Sequence, residues 1–375
     1  MKRYTKSIVT ALVSLCLSLF LFSQYAYASY AVTLQQTKSI QKVVENYAKK
    51  IENSYYYADR SAFTDSEMKL ASKQIVDSED LLERGLILSN VKVDAVVDSI
   101  KKVADNYEIK SDITTSFLLR ANKDTDIVIA GQKRNTLHSS ATDTHILTVE
   151  SKGSSNNSFV VTGDKIQNPV EDSGEIDDDY SYSDKQDRSI LEDKSNKKIP
   201  YDSIKASLYA EKWTEKNIMN PVFPIHEENG TKGNCTNFVS QAVYAGGLPT
   251  TFGTSFDSAN PKVWTWNLAG IARDTYTWSG AEYNYNYMKN YAGVFEPDNA
   301  WRIGFGGIIY ADWKNTGHLG HAMFVVGYAS HRSKPTPIIC QKSVNRHDWP
   351  FSTSVKMANK NYGGKTRWVG LQSLY

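Results

Sequence analysis

Two residues carry the chemistry to be expected of this chain. One is Cys235, in the run Asn234-Cys-Thr-Asn-Phe-Val-Ser-Gln-Ala-Val-Tyr244; the other is His321, which heads His321-Ala-Met-Phe-Val-Val-Gly-Tyr328. A thiol attacks an acyl carbon only as thiolate, and it needs a base or ion-pair partner, usually an imidazole. Phe238, Val239, Ala242 and Val243 recur on one helical face, and Gly246-Gly247 with Pro249 stop the pattern, which places Cys235 in a first turn. Unpaired backbone N–H groups and the positive end of the helix dipole favour an anion there, so the thiol should ionise below its free value of about 8.5. His321 opens a strand whose alternating residues look buried on both faces, a rigid mount for a ring. Taken singly, a small packing cysteine and a half-exposed histidine at a strand end would explain each. A helix-start thiol followed by a strand-borne imidazole is the pattern of a nucleophile and its base.

A third polar group normally fixes such an imidazole. The next strand, Ile338-Ile-Cys-Gln-Lys-Ser-Val-Asn345, offers Gln341 and, at its far end, Asn345. Either amide can accept from the ring N–H without adding charge, and strand polarity does not choose between them. His347 and Asp348 read as turn residues before Trp349-Pro350. The oxyanion of an acyl intermediate would be met by the backbone N–H of Cys235, aided by Asn234 or Asn237, although Asn237 equally suits a local bond in the helix turn. Aromatics from Trp264 to Tyr287, Trp278 among them, either line a groove for peptide or glycan or simply pack a core. His318 and His321 lie three apart and raise the question of zinc. No HExxH, paired cysteine or further clustered histidine completes a ligand set with Cys235, so neither a metal nor another cofactor is expected.

The elements that must position these residues sit in a chain of uneven composition. All eight Trp fall between Trp213 and Trp368, which implies two different cores. Lys2, Arg3 and Lys6 precede an apolar run from Ile8 to Phe22, and Ala26-Tyr27-Ala28 supplies a small-x-small cleavage site, so residues 1–28 read as an export signal that leaves no stable membrane anchor. Cys16 goes with it, leaving Cys235 and Cys340 either free or paired with each other. Residues 29–167 read as a smaller α+β domain of open role. It has an amphipathic helix (Ile40, Val43, Val44, Tyr47, Ile51), helical segments at Leu81–Leu86 and Val93–Val103, and strands near Thr115–Leu119, His145–Val149 and Phe159–Thr162. His138 and His145 read as ordinary surface or strand residues. Residues 168–199, with Asp177-Asp178-Asp179 and few aliphatics, bury too little apolar surface to order and read as an acidic flexible linker. Residues 200–375 begin with a helix (Ile204, Leu208, Ala210, Trp213) and continue through the Cys235 helix to strands at Gly307–Tyr310, His321–Tyr328, Ile338–Val344 and Thr366–Leu371.

The order of helix-start Cys, strand-borne His and a polar residue on the following strand is similar to the papain-like superfamily in its secreted bacterial forms, the NlpC-type and CHAP hydrolases. Asn234-Cys-Thr-Asn-Phe-Val-Ser-Gln241, Trp278-Ser-Gly, Gly307-Ile-Ile-Tyr-Ala-Asp-Trp313, Gly320-His321-Ala-Met and Gln341-Lys-Ser-Val-Asn-Arg346 resemble more closely the putative amidase domain family of proteins exported from Gram-positive bacteria. The resemblance spans residues 201–375. It implies an α+β, papain-like C-terminal domain, its catalytic helix packed on an antiparallel sheet, with Cys235 as nucleophile and His321 as base. Three positions depart from the family pattern: Gly307 stands for an acidic residue, Gly320 for a polar one and Lys342 for a histidine. The expected activity is a secreted or wall-associated cysteine amidase or peptidase acting through an acyl-enzyme. Its partner would be a peptide or peptidoglycan-type amide. The alternative is a silent cell-surface binding module, as would follow if Cys235 were bridged to Cys340. A formal net charge of +2 over 375 residues points away from nucleic acid, and a monomer is expected.

Overall fold

The computed structural model describes residues 32–55, 66–71, 76–152, 158–167, 201–226, 234–251, 257–270, 273–332 and 334–374. The expected export signal (1–28) and acidic linker (168–199) lie outside the described residues. Helices α1 (Leu34–Ser54), α2 (Ser66–Ala71) and α3 (Ser78–Glu83) precede strands β1 (Leu86–Val103), β2 (Asn106–Ala121), β3 (Thr125–Ile129), β4 (Gln132–Arg134), β5 (Thr136–Ser151) and β6 (Phe159–Ile166). Helices α4 (Ser203–Glu215), α5 (Asn234–Ala245), α6 (Tyr276–Ser279) and α7 (Ala281–Asn290) follow, then β7 (Phe295–Asp298), β8 (Ile308–Asp312), β9 (His321–His331), β10 (Lys334–Gln341), β11 (Asn345–Pro350), α8 (Phe351–Tyr362) and β12 (Arg367–Ser373). The fold is α+β with a large antiparallel sheet.

Two compact units result, and their division does not follow the composition break near residue 167. One comprises Met1–Lys73, Ala95–Asp112 and His145–Ile166; the other comprises Gln74–Asp94, Ile113–Thr144 and Gln167–Tyr375. Strands β1, β2 and β5 are long enough to give residues to both. The segment Val93–Val103, expected as helix, is part of β1. Its Val, Ile and Lys spacing fits a helical stripe nearly as well as an alternating one, and strand pairing decides for the β-branched side chains.

In the smaller unit α1 lays Ile40, Val44, Tyr47, Ala48 and Ile51 inward and packs against β6. A reciprocal box between Thr33 and Gln36 starts this helix by satisfying two free backbone donors. His145 is a strand residue of β5, and a buried one, with Nδ1 2.8 Å from Asp164 Oδ1, while the Tyr47 hydroxyl donates to the other carboxylate oxygen at 2.6 Å.

In the larger unit β9 is the strand that organises the rest. One edge pairs with β10 from Phe324 to His331. The opposite edge is shared: His321–Phe324 pair with β8, and Gly327–His331 pair with β3. Gly327 stands where β3 crosses in, and a Cβ there would lie 2.1 Å from the Val128 carbonyl oxygen, so no side chain fits. Beyond β10 comes β11, which pairs with β5 through Asn345↔Thr142, Arg346↔Ala141 and His347↔Ser140. Helices α4 and α5 pack on β9. The helix expected at Ile204–Trp213 is present, but its inward face is Ser203, Ala206, Ser207, Ala210 and Thr214, while Ile204 and Leu208 face solvent. Small side chains let the helix backbone approach the sheet closely, which outweighs burial of two larger aliphatics.

Candidate active site

Cys235 stands in the first turn of α5, whose residues Asn234 through Val243 are all buried. The helix is buried so completely because β9 lies on one side and a layer of aromatic rings on the other. Trp278 stacks on Phe223 at 5.8 Å and meets Trp264 at 4.7 Å between ring centroids, and Trp264 stacks on Tyr287 at 5.9 Å. Polar atoms within this layer are paired. Ser240 Oγ donates to the Trp278 carbonyl and accepts from Trp264 Nε1 and Asn284 Nδ2. Asn237 Oδ1 accepts from Trp278 Nε1 at 2.8 Å and from Gln241 Nε2 at 2.9 Å, while its Nδ2 donates to the Pro224 carbonyl at 2.7 Å. Asn234 exchanges two bonds with the backbone of His226, whose Nε2 lies 3.0 Å from Asp274 Oδ2. Asn234, Asn237 and Trp278 are therefore the framework under the helix start. The side-chain polar atoms of Asn237 and Trp278 are committed to it, and Asn234 gives it Oδ1 and one of its two N–H groups.

The thiol and the imidazole come together as the sequence pattern requires. Burial alone pushes the Cys235 thiol up, but the charge of His321 and its pairing with the sulfur, aided by Thr236 and the Ala322 backbone, bring it down to about 7. Its Sγ lies 3.7 Å from Thr236 Oγ1. His321, 1% exposed, pairs through its backbone with Ala311 of β8. The ring lies 5.5 Å from that of Trp313. Neither ring nitrogen has a partner in ordinary hydrogen-bond geometry among the described residues, and neither does the buried Trp313 Nε1. Buried polar atoms left open are uncommon and mark places where water or a ligand completes the set. Three such atoms belong to this one pair of neighbouring rings.

Neither amide expected to orient the ring does so. Gln341 Nε2 donates to the Val344 carbonyl at 3.2 Å, and Asn345 Nδ2 donates to the Thr214 carbonyl at 3.1 Å while its Oδ1 accepts from Lys342 Nζ at 2.7 Å. The register explains this: the β9–β10 ladder ends at Cys340↔Phe324, and β10 turns away into β11 before it reaches the level of His321. What stands beside the ring instead is Trp313, held by its own stack on Tyr362 at 5.4 Å.

The turn between β10 and β11 supplies a residue that sequence reasoning missed. The Cys235 N–H, expected as oxyanion donor, donates to Ser343 Oγ at 3.1 Å. Ser343 reaches it from a left-handed backbone at φ 75°. No local pattern marks Ser343, because its partner is a helix start far away in sequence. Trp313 was within reach of the sequence, two residues past the end of the β8 core run.

The other candidates disperse. His318 is 82% exposed and pairs with Glu282, away from any set with Cys235. Cys235 and Cys340 are both free thiols, so no bridge extinguishes the nucleophile. His347 and Asp348 are buried members of β11, not turn residues. At Gly307, where the resembling family carries an acidic residue, a Cβ would lie 2.8 Å from the Leu371 carbonyl oxygen, so this chain has closed that position.

The larger unit thus sets a thiol at a buried helix start and an imidazole on the strand against which that helix packs. Residues 200–366 match the model of a family described as a putative amidase domain, the stretch that holds Cys235, His321, Trp313 and Ser343. The match supports a hydrolase acting on amides. No curated protein and no solved structure matches the chain.

Proposed function

We propose that this protein is a cysteine-dependent amide hydrolase of papain-like type. Cys235 attacks the scissile carbonyl carbon, His321 hands a proton to the departing amine, and water then releases the thioester with His321 as base. The observation that carries the reading is the thiol brought down to about 7 despite full burial, with the imidazole that does it. The Cys235 N–H is the donor for the oxyanion, and the carbonyl oxygen takes the place that Ser343 Oγ holds beside it. Trp313 Nε1 and the His321 nitrogen not engaged by the thiolate are the polar atoms a bound amide would satisfy.

Export by the segment 1–28, action outside the cell on peptides of wall type, and a flexible acidic linker at 168–199 complete the proposal. They rest on the sequence pattern and on the resemblance. Iodoacetamide labelling of the purified protein, read by mass spectrometry against pH, tests the chemical core. Cys235 is expected to label with a midpoint near 7, and about 100-fold faster at neutral pH than Cys340. A Cys235 midpoint at or above that of free cysteine would end the reading. Turnover of peptidoglycan fragments against unrelated peptide amides then decides the substrate class.

A further inference from the structure

A second polar cluster lies in the larger unit, apart from the atoms of the proposed hydrolase centre. Cys340 of β10 and His347 and Asp348 of β11 are all buried, and one ligating atom from each lies within 4.8 Å of the other two. Cys340 Sγ is 3.9 Å from Asp348 Oδ1, and His347 Nε2 is 3.8 Å from Asp348 Oδ2. Ligands about 2.0–2.3 Å from one tetrahedral ion stand roughly 3.5 Å apart, so these two pairs need to close by a few tenths of an ångström and no pair of the three by more than about 1.3 Å.

The surroundings favour a ligating geometry. Thr214 Oγ1 lies 2.8 Å from the Ala210 carbonyl and 3.2 Å from Cys340 Sγ, to one of which it gives its single proton, and 3.0 Å from His347 Nδ1, from which it then accepts. That fixes the proton on Nδ1 and leaves Nε2 with its lone pair toward the carboxylate, as outer partners of metal-bound histidines do. Arg134 joins two carboxylates, lying 3.0 Å from Glu211 Oε1 and 3.8 Å from Asp348 Oδ2. The other oxygen, Glu211 Oε2, is buried with no hydrogen-bond partner among the described residues. Glu211 is not one of the three residues whose ligating atoms converge, so a water molecule is left to complete a tetrahedral set. His347 also lines a cleft of about 260 Å³ with His138, Ser139, Ser140 and Glu215, which gives an ion a way in.

We propose that Cys340, His347 and Asp348, completed by a water molecule, bind a borderline divalent cation of zinc type. Thiolate, imidazole and carboxylate together suit that ion better than calcium or magnesium. Coordination releases the Cys340 proton to water and changes no oxidation state. The ion ties β10 to β11, and the turn between these strands carries Ser343 to the Cys235 N–H.

Cobalt(II) titration of the purified, chelator-treated protein tests this. Wild type and Cys16→Ser/Cys235→Ala, in which Cys340 is the sole remaining thiol, should both develop a near-ultraviolet thiolate-to-cobalt band that saturates at about one ion per chain and is displaced by zinc. Cys340→Ser should abolish the band, and Asp348→Asn should weaken binding at least 10-fold. Absence of the band from Cys16→Ser/Cys235→Ala would overturn the site whether or not the ligand variants fold. So would a band in Cys340→Ser equal to that of wild type.

Discussion

Cys235 is 4% exposed and Cys340 fully buried, yet the first thiol is brought down to about 7 while the second is pushed well above its usual range. Burial raises both. At Cys235 the imidazole of His321 reverses it, whereas at Cys340 the carboxylate of Asp348 adds to it. The two positions teach that the sign of the nearest charge, not access to solvent, decides which way the ionisation of a buried thiol moves in this protein. Backbone setting agrees: Cys235 has a helix start behind it, and Cys340 sits in mid-sheet with its neighbours' backbone dipoles cancelling.

The largest test of that contrast is Cys235→Ala, which should lower amide hydrolysis by about 10⁴-fold or more and leave the melting temperature nearly unchanged, since a small side chain fills the same place. Turnover above that level would move the nucleophile elsewhere. Asn237→Ala attacks the framework under Cys235 rather than the chemistry. It strips partners from Trp278 Nε1, Gln241 and the Pro224 carbonyl, and a urea titration should show a loss of about 3 kcal/mol. His321→Ala should bring the two thiols closer in character. With the thiol returned toward 9, labelling of Cys235 at pH 7 should slow by about 50-fold. An unchanged rate would show that the helix start alone activates it.

The smallest effect concerns Lys342, buried in the turn between β10 and β11. Its ammonium is brought down to about 8 by burial, against an ordinary 10.5. A folded-state value below the unfolded one means that the charged lysine costs stability in full below about pH 8, and that the cost fades as pH rises to 10.5. Lys342→Met should therefore stabilise the protein by about 1–2 kcal/mol at pH 7 and by nothing near pH 11, as thermal melts at the two pH values would show.

Much of this was legible beforehand, for reasons that particular residues show. The α5 face of Phe238, Val239, Ala242 and Val243 is local periodicity, and it is buried as read. The strands at β8, β9 and β12 announce themselves by apolar runs. Helix α4 was legible as a helix but not in its orientation, because small residues pack inward only when a sheet lies close enough to make tight approach worth more than aliphatic burial. Gln341 and Asn345 were reasonable partners for a ring on the preceding strand, until the ladder's end at Cys340 took them out of range. His347 and Asp348 looked like a turn before Trp349-Pro350, and pairing of β11 with β5 made them strand.

By itself the amino-acid sequence determined that a thiol would stand at a helix start and an imidazole at a strand head, since both follow from spacings within a dozen residues. Tertiary structure alone decided which groups surround them: Trp313 beside His321, Ser343 on the Cys235 N–H, and Cys340 with Asp348 instead of with Cys235. The physical reason is that periodicity fixes the direction of a side chain within its own element, whereas the partner it meets depends on sheet register and on where a strand ends, which no local pattern encodes.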